Sequence, residues 1–284
     1  MTEPDKKSGA QAHEKTRIAV LGYGTDARDR AVRLRQAGID VSVSMRPGGL
    51  SWVRANADKF APARADEAVA SAQVVVLLVP DEEQPSVYWR SIAPHISPGT
   101  LLVVERGHAL HVGAIDPRRD VDIVLVTAAP SGDRVGCRVA VYHDATGKAL
   151  ERAIAYARAA FEEAATSLGT TTVTEEFEAD LVARETRAGG HDALIAELDQ
   201  ILVRGTHEPD EAKLGYYERL RTAVSARRPA DSTPSSGSPG SSRGGPLSSS
   251  NVNDPSSGTT KVVAAAASAS DLAARYWTHM RGVA

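Results

Sequence analysis

Short continuous apolar runs alternate along this chain with longer segments whose apolar residues recur three and four apart. The runs are Arg17–Leu21, Asp40–Met45, Ala72–Val79, Thr100–Glu105, Asp122–Val126 and Arg138–Tyr142, most of them unbroken Val, Ile and Leu. Strands buried on both faces read this way, because neither face meets water. Helical spacing covers Ala27–Gln36 and Gln84–Ile96 between the early runs. This alternation predicts an α/β fold, a doubly wound parallel sheet. From Gly147 the pattern is helical: first G-K-A-L-E-R-A-I-A-Y-A-R-A-A-F, then Glu175–Ala188, Asp192–Val203 and Asp210–Arg227, the last behind Pro209 at a helix start. The chain thus reads as a sheet domain over residues 16–168 and a reduced all-helical domain over 169–228.

Three further segments flank these. Residues 1–15 are polar and read as a disordered leader. Residues 229–260 are rich in Ser, Gly and Pro, and such a stretch cannot offset its ordering entropy by burial, so a flexible linker is expected. Residues 261–284 carry an alanine-rich helix whose Tyr276 and Trp277 suggest that it docks on the body.

Composition narrows the class. A hydrophobic fraction of 42% with 24% charged residues is ordinary for a soluble globular protein. The formal charge of −3 provides no electrostatic footprint for nucleic acid or a membrane surface. One cysteine, Cys137, allows no internal disulfide, and the N-terminus has no apolar signal core. A cytoplasmic protein is expected.

The candidate chemistry begins at R-I-A-V-L-G-Y-G-T-D-A, residues 17–27. A buried strand runs into a turn with two glycines, and a helix opens behind it. Backbone amides at such a turn face a pyrophosphate, and the helix dipole favours the anion. Gly22, Tyr23, Gly24, Thr25, Asp26 and Ala27 are therefore candidate dinucleotide-binding residues, the alternative being a plain strand–helix turn. Where NAD binders usually carry an acid after the second strand, this chain has Arg46, with Ser51 five residues on. A guanidinium and a hydroxyl suit the 2′-phosphate of NADPH; the alternative is a solvated arginine. Pro80, Asp81 and Gln84 fall at the carboxyl edge of the third strand, where such sheets bind ligands, although Asp81 could equally cap the following helix.

These residues resemble the ketol-acid reductoisomerase family. The matches are G-Y-G at 22–24, M-R-P-G-G-L-S-W at 45–52, V-P-D-E-E-Q-P-S-V-Y at 79–88 and H-D-A-T-G-K-A-L-E-R-A-I-A-Y-A at 143–157. They continue through T-E-E-F-E-A-D-L at 174–181 and E-P-D-E-A-K-L-G-Y-Y-E-R-L at 208–220. The resemblance implies a Rossmann-type NADPH domain and a helical domain that supplies carboxylates to two Mg²⁺ ions and pairs into a homodimer. It implies alkyl migration in 2-acetolactate or its homologue, followed by reduction of the resulting ketone. Paired divalent ions suit such a migration because it needs an alkoxide beside a polarised carbonyl.

Several of the family's site positions differ here. Its first metal-binding aspartate matches Asp180, but the partner four residues on is Arg184, with Glu185 turned about 100° around the helix. The second helix presents Gly215 and Arg219 where two glutamates are expected, with Glu211 and Glu218 out of register. In E-R-G-H-A-L-H, Arg106 replaces a histidine, His108 replaces an aromatic residue and His111 is retained, while Ser131 replaces a lysine. Mg²⁺ binding is accordingly not expected, with Asp180 and Glu185 left as residual metal candidates. Arg184 and Arg219 are expected to pair with Asp180 and Glu185, the alternative being a solvated face. The reading is an NADPH-dependent oxidoreductase that has lost the Mg²⁺-dependent isomerisation and reduces a small ketone or imine. Arg106, His108, His111 and Ser131 would hold an anionic substrate or protonate the alkoxide. His111 could instead be a structural histidine and His108 a surface one. The alternatives for the whole chain are a genuine reductoisomerase and a non-catalytic scaffold.

Overall fold

The computed structural model describes residues 16–131, 134–161, 167–205 and 210–227. The expected leader, linker and terminal helix lie outside them. Two compact units are present: residues 16–107 with 117–177, and residues 108–116 with 178–227. The boundary expected at 168/169 thus falls inside the first unit.

The first unit is built on a sheet of seven strands among the described residues: β1 (Arg17–Leu21), β2 (Asp40–Ser44), β3 (Val74–Leu77), β4 (Leu101–Val104), β5 (Asp122–Ser131), β6 (Arg134–His143) and β7 (Leu168–Thr170). Their order is β2-β1-β3-β4-β5-β6-β7, and β1 to β5 pair in parallel. The sixth strand departs from the parallel expectation, running antiparallel to β5 with Ser131 opposite Arg134. The physical reason is length: a parallel return needs a crossover of a dozen or more residues, and only two separate these strands. Residues 168–170, expected to open the helical region, instead pair with β6 as a short parallel strand.

The helices of this unit are α1 (Thr25–Gln36), α2 (Leu50–Ala57), α3 (Ala65–Ser71), α4 (Gln84–Val87, continued by a π-helical turn to Ile92) and α6 (Ala149–Phe161). Between β4 and β5 the chain forms the short α5 (His108–His111). Alanines at Ala27 and Ala31 on α1, and at Ala149, Ala153, Ala157 and Ala160 on α6, bring these two helices close on one sheet face. There they bury Ile18, Val20, Val76, Val103 and Val124, while the alternate residues of the same strands, such as Leu21, Leu77, Leu102 and Leu125, are equally buried. Burial on both faces explains the unbroken apolar runs. Helix α7 (Val173–Ala188) begins in the first unit; in the second, its residues from 178 on, with α8 (His191–Gly205) and α9 (Glu211–Ala226), bury Leu181, Leu194, Leu198, Tyr216, Leu220 and Val224. No helix of the described residues is long and apolar enough to cross a membrane.

The run 143–157, which carries the strongest resemblance, organises the amino ends of the strands. Asp122, fully buried at the start of β5, accepts hydrogen bonds from the Ala145 and Thr146 amides (2.9 Å each), the Thr146 hydroxyl (2.7 Å) and Arg152 (2.8 Å). Arg152 also donates to the carbonyls of Gly99 and Gln73, which precede β4 and β3. Asp144 accepts from the Ala149 amide at the start of α6. Burial alone would raise the Asp122 carboxyl, but the bonds from Thr146, Arg152 and Ala145 outweigh it and hold it below the usual carboxylate range. We expect Asp122→Asn to lower unfolding stability by about 2–4 kcal/mol, because it turns an amide N–H₂ toward donors. A folded-state pKa below the unfolded one stabilises at neutral pH and ceases to do so in acid, so urea titrations should show the wild-type advantage full at pH 7 and shrinking below about pH 4.

Candidate functional site

Three strand ends converge at Gly22. Its φ is +108°, its N–H donates to the Ser44 carbonyl at 2.7 Å, and a Cβ there would stand 2.3 Å from the Leu78 carbonyl oxygen. Only glycine fits this close approach. Gly24 differs: its φ of −70° is ordinary, and a Cβ would meet nothing within 4 Å, so the backbone here faces open space. Helix α1 begins next, with no side chain capping its first amides. Thr25 and Asp26 are exposed, whereas Ala27 packs into the core, where only a small residue lets the helix lie close to the sheet. The turn fits a dinucleotide pyrophosphate: free amides, a helix dipole and room in front of Gly24.

Tyr23 takes part in this turn through its backbone alone. Its ring is buried edge-on to Phe60, and its hydroxyl donates to Asp58 at 2.9 Å. Asp58 also receives two bonds from Arg28, at 2.6 and 2.8 Å. Arg28, then Tyr23, pull the Asp58 carboxyl down to about 2. Burial, reinforced by Asp58, pushes the phenol well above its usual range. Asp58, which the sequence reading missed, ties α2 to the turn.

At the neighbouring strand ends, Arg46 follows β2, is 85% exposed, and pairs with Glu83 at 3.1 Å. Ser51 lies in the first turn of α2. Pro80 is exposed, but Asp81 and Gln84 are buried, with the Gln84 amide donating to Asp81 at 3.2 Å. The N-cap of α4 is Glu83 and has no side-chain cap, so Asp81 does not cap that helix. Arg106, just beyond β4, places its guanidinium 3.8 Å from Asp81.

Beside it, Glu105 accepts bonds from Arg30 (2.9 Å) and Tyr156 (3.2 Å), joining β4 to α1 and α6. The Arg30 guanidinium also lies 3.8 Å over the Phe161 ring. Burial raises the Glu105 carboxyl against the opposing pull of Arg30, and Asp26 adds to the rise. The sequence reading missed this cluster; its signal was Arg30 among the apolar positions of α1.

In the second unit, His108 is buried and its Nε2 lies 2.7 Å from Asp180, which removes the alternative of a surface residue. Arg184 reaches the same carboxylate oxygen at 3.1 Å. The bond from His108, aided by the charge of Arg184, holds the Asp180 carboxyl far below the usual range despite burial. Glu185 faces other partners, His191 at 2.8 Å and Arg227 at 2.8 Å, so the expected pairing with Arg219 is replaced by these two. His111 is half-buried, and burial lowers its imidazole against the charge of Glu178. Ser131 sits at the tip of the β5–β6 hairpin, and its side chain lies outside the described residues.

The Asp180 oxygen that the resemblance assigns to Mg²⁺ already has two partners. A guanidinium and an imidazole occupy the Asp180 oxygen that would have to coordinate, and Mg²⁺ demands an octahedral set of oxygens. Among the described residues no group of three or more His, Cys, Asp or Glu could hold a metal ion.

The two glycines separate structure from binding. We expect Gly22→Ala to cost at least about 2–3 kcal/mol of stability, since the methyl meets the Leu78 carbonyl in a left-handed backbone. Gly24→Ala should change stability by less than about 1 kcal/mol yet weaken nicotinamide-dinucleotide binding by at least about tenfold, by filling the approach to the pyrophosphate. Thermal melts and a fluorescence titration of each variant check both outcomes.

Residues 12–165 match the family described as acetohydroxy acid isomeroreductase, NADPH-binding domain. The chain is similar to the ketol-acid reductoisomerase (NADP(+)) of Xanthomonas axonopodis pv. citri, 37% identical over 221 residues, covering 73% of this chain and 65% of that protein. The enzyme of the same name from Pyrobaculum arsenaticum is 38% identical over 219 residues, covering 72% and 65%. The chain therefore spans a little under two thirds of the length of these curated relatives. An NADH-preferring ketol-acid reductoisomerase from an uncultured archaeon superposes with a TM-score of 0.56 at 27% identity, over 74% of this chain and 68% of that one. A semialdehyde dehydrogenase NAD-binding protein from Cupriavidus necator shares the fold alone, with a TM-score of 0.51 at 18% identity, over 75% and 83%. Matched along more than half its length by the family's nicotinamide-cofactor domain, the chain belongs to the acetohydroxy acid isomeroreductase family, the ketol-acid reductoisomerases.

Proposed function

We propose that the chain is an NADPH-dependent reductase of a small ketone or imine, without the Mg²⁺-dependent isomerisation of its relatives. The observation that carries this reading is the Asp180 carboxylate, held at 2.7 Å by His108 and at 3.1 Å by Arg184. A tethered guanidinium at the i+4 position supplies the positive charge where the resemblance puts a second carboxylate, and it would repel an incoming dication.

The pyrophosphate turn, by contrast, keeps its parts. Gly22, Gly24, Thr25 and the uncapped α1 amides would hold the diphosphate, and Arg46 with Ser51 the 2′-phosphate. The cofactor would supply a hydride. The chain's own task at the reacting end is charge placement: Arg106, kept beside Asp81 at the end of β4, presents a guanidinium to an anionic substrate group or to the oxyanion that reduction creates. His108, buried and bound to Asp180, is a positioning residue. His111, half-buried and with its imidazole biased toward the neutral form, is the candidate proton carrier.

The test separates the two half-reactions. The purified chain should oxidise NADPH with the ketone that the migration would deliver, or with a related 2-keto acid, in the presence of a chelator. It should leave 2-acetolactate untouched with Mg²⁺ present. Turnover of 2-acetolactate at a biosynthetic rate would overturn the proposal. Independently, millimolar Mg²⁺ should shift the thermal midpoint by less than about 1 °C, because a ligand without a site does not stabilise the folded state; a rise of several degrees would reveal a metal cage.

A further inference from the structure

Resting on the dinucleotide reading above, we propose that Glu83 is a specificity-determining residue: its carboxylate competes with the 2′-phosphate of NADPH for Arg46 and holds down the preference for NADPH over NADH. The two side chains come from different strand ends. Arg46 follows β2, Glu83 follows β3, and β1 lies between them in the sheet. Their 3.1 Å ion pair therefore spans the end of β1, where the chain turns at Gly22. A dinucleotide entering that turn has its adenosine half at the β2 side of the crevice, which is the ground this pair covers.

The two partners are not equally free to move. Arg46 is 85% exposed and reaches its partner from a loop, while the Glu83 side chain is 29% exposed. The Glu83 backbone is set in a turn: its N–H donates to the Pro80 carbonyl at 2.8 Å, and Gln84 donates to the same oxygen at 3.1 Å. The Gln84 side chain is buried against Asp81, which fixes the turn from inside. An arriving phosphate dianion can thus draw the guanidinium away, but it leaves the carboxylate close by. Two negative groups then share one arginine, and their repulsion subtracts from what Arg46 contributes. NADH brings no such charge; its ribose hydroxyl donates to a carboxylate without cost.

The test is a titration of the full chain with NADPH and NADH, followed by nicotinamide fluorescence. Glu83→Gln should tighten NADPH by about three- to fivefold, the range expected for one exposed charge, and leave NADH within about twofold. Glu83→Asp, which keeps the charge, should show no such gain, and a thermal melt confirms that each variant is folded. Adenosine 2′,5′-bisphosphate should gain in parallel with NADPH as a displacing probe, and AMP should not. The gain should shrink at high salt. Unchanged or weaker NADPH binding in Glu83→Gln, or an equal gain for NADH, would overturn the proposal. Arg46→Gln separates the two levels: a specific loss of NADPH affinity there, with no effect of Glu83→Gln, sinks only the competition. No loss in Arg46→Gln, or no dinucleotide binding by the wild type, sinks the cofactor reading and the competition with it.

Discussion

The crevice depends on one backbone contact. Gly22 lies so close to the Leu78 carbonyl that no side chain fits between them, and its N–H is bonded to Ser44. That contact locks the ends of β1, β2 and β3 to one another. The open backbone at Gly24, the exposed first turn of α1, and the loops bearing Arg46 and Glu83 take their places from it. Tyr23, turned inward onto Asp58, and Ala27, packed on the sheet, hold the turn from below. The upper surface is then left to amides and solvent, which is the condition for receiving an anion.

The opposite end of the sheet has a different logic. There Asp122 and Arg152 are the centre, and every hydrogen bond they make closes a structural gap: two loop amides, a hydroxyl and two strand-leading carbonyls. This explains why the run at 143–157 resembles the family so closely while carrying no candidate chemistry. A buried carboxylate with several donors tolerates few replacements, because each leaves an unpaired polar group. Likeness there testifies to fold, whereas the residues that differ, Arg106, His108, Ser131 and Arg184, lie at positions where the resemblance assigns function.

Much of the fold was legible because period and burial agree. Runs such as Val74–Leu77 and Leu101–Val104 have all four side chains buried, so continuous hydrophobicity and strand were the same fact. The direction of β6 was not legible from periodicity, since the pattern of a strand is identical either way round; the two-residue connection decides it. The short α2, α3 and α5 were missed because a few residues do not display a helical period. At the site, Arg46 and Asp180 could be placed from sequence, but their partners could not. Glu83 lies 37 positions from Arg46 by their numbering, and His108 lies 72 from Asp180, so only the folded chain pairs them.

The same exchange of mobile for tethered charge occurs in both units. In the helical unit, Asp180 has a guanidinium from its own helix and an imidazole from α5, so the same carboxylate oxygen is held by two groups that cannot diffuse away. At the adenosine side of the crevice, Arg46 has Glu83. A tethered partner has no translational entropy to lose on pairing, and so competes well with any ligand of like charge. The consequence differs with burial. Around Asp180 the two partners are shielded from water, and a dication would have to displace both at once. Between Arg46 and Glu83, water screens the attraction, and a phosphate dianion can take the guanidinium while still feeling the acid. On the readings proposed above, the first exchange would block a dication and the second would adjust a preference, and what separates them is the exposure of the carboxylate's partner, 85% for Arg46 against 2% for His108 and 23% for Arg184.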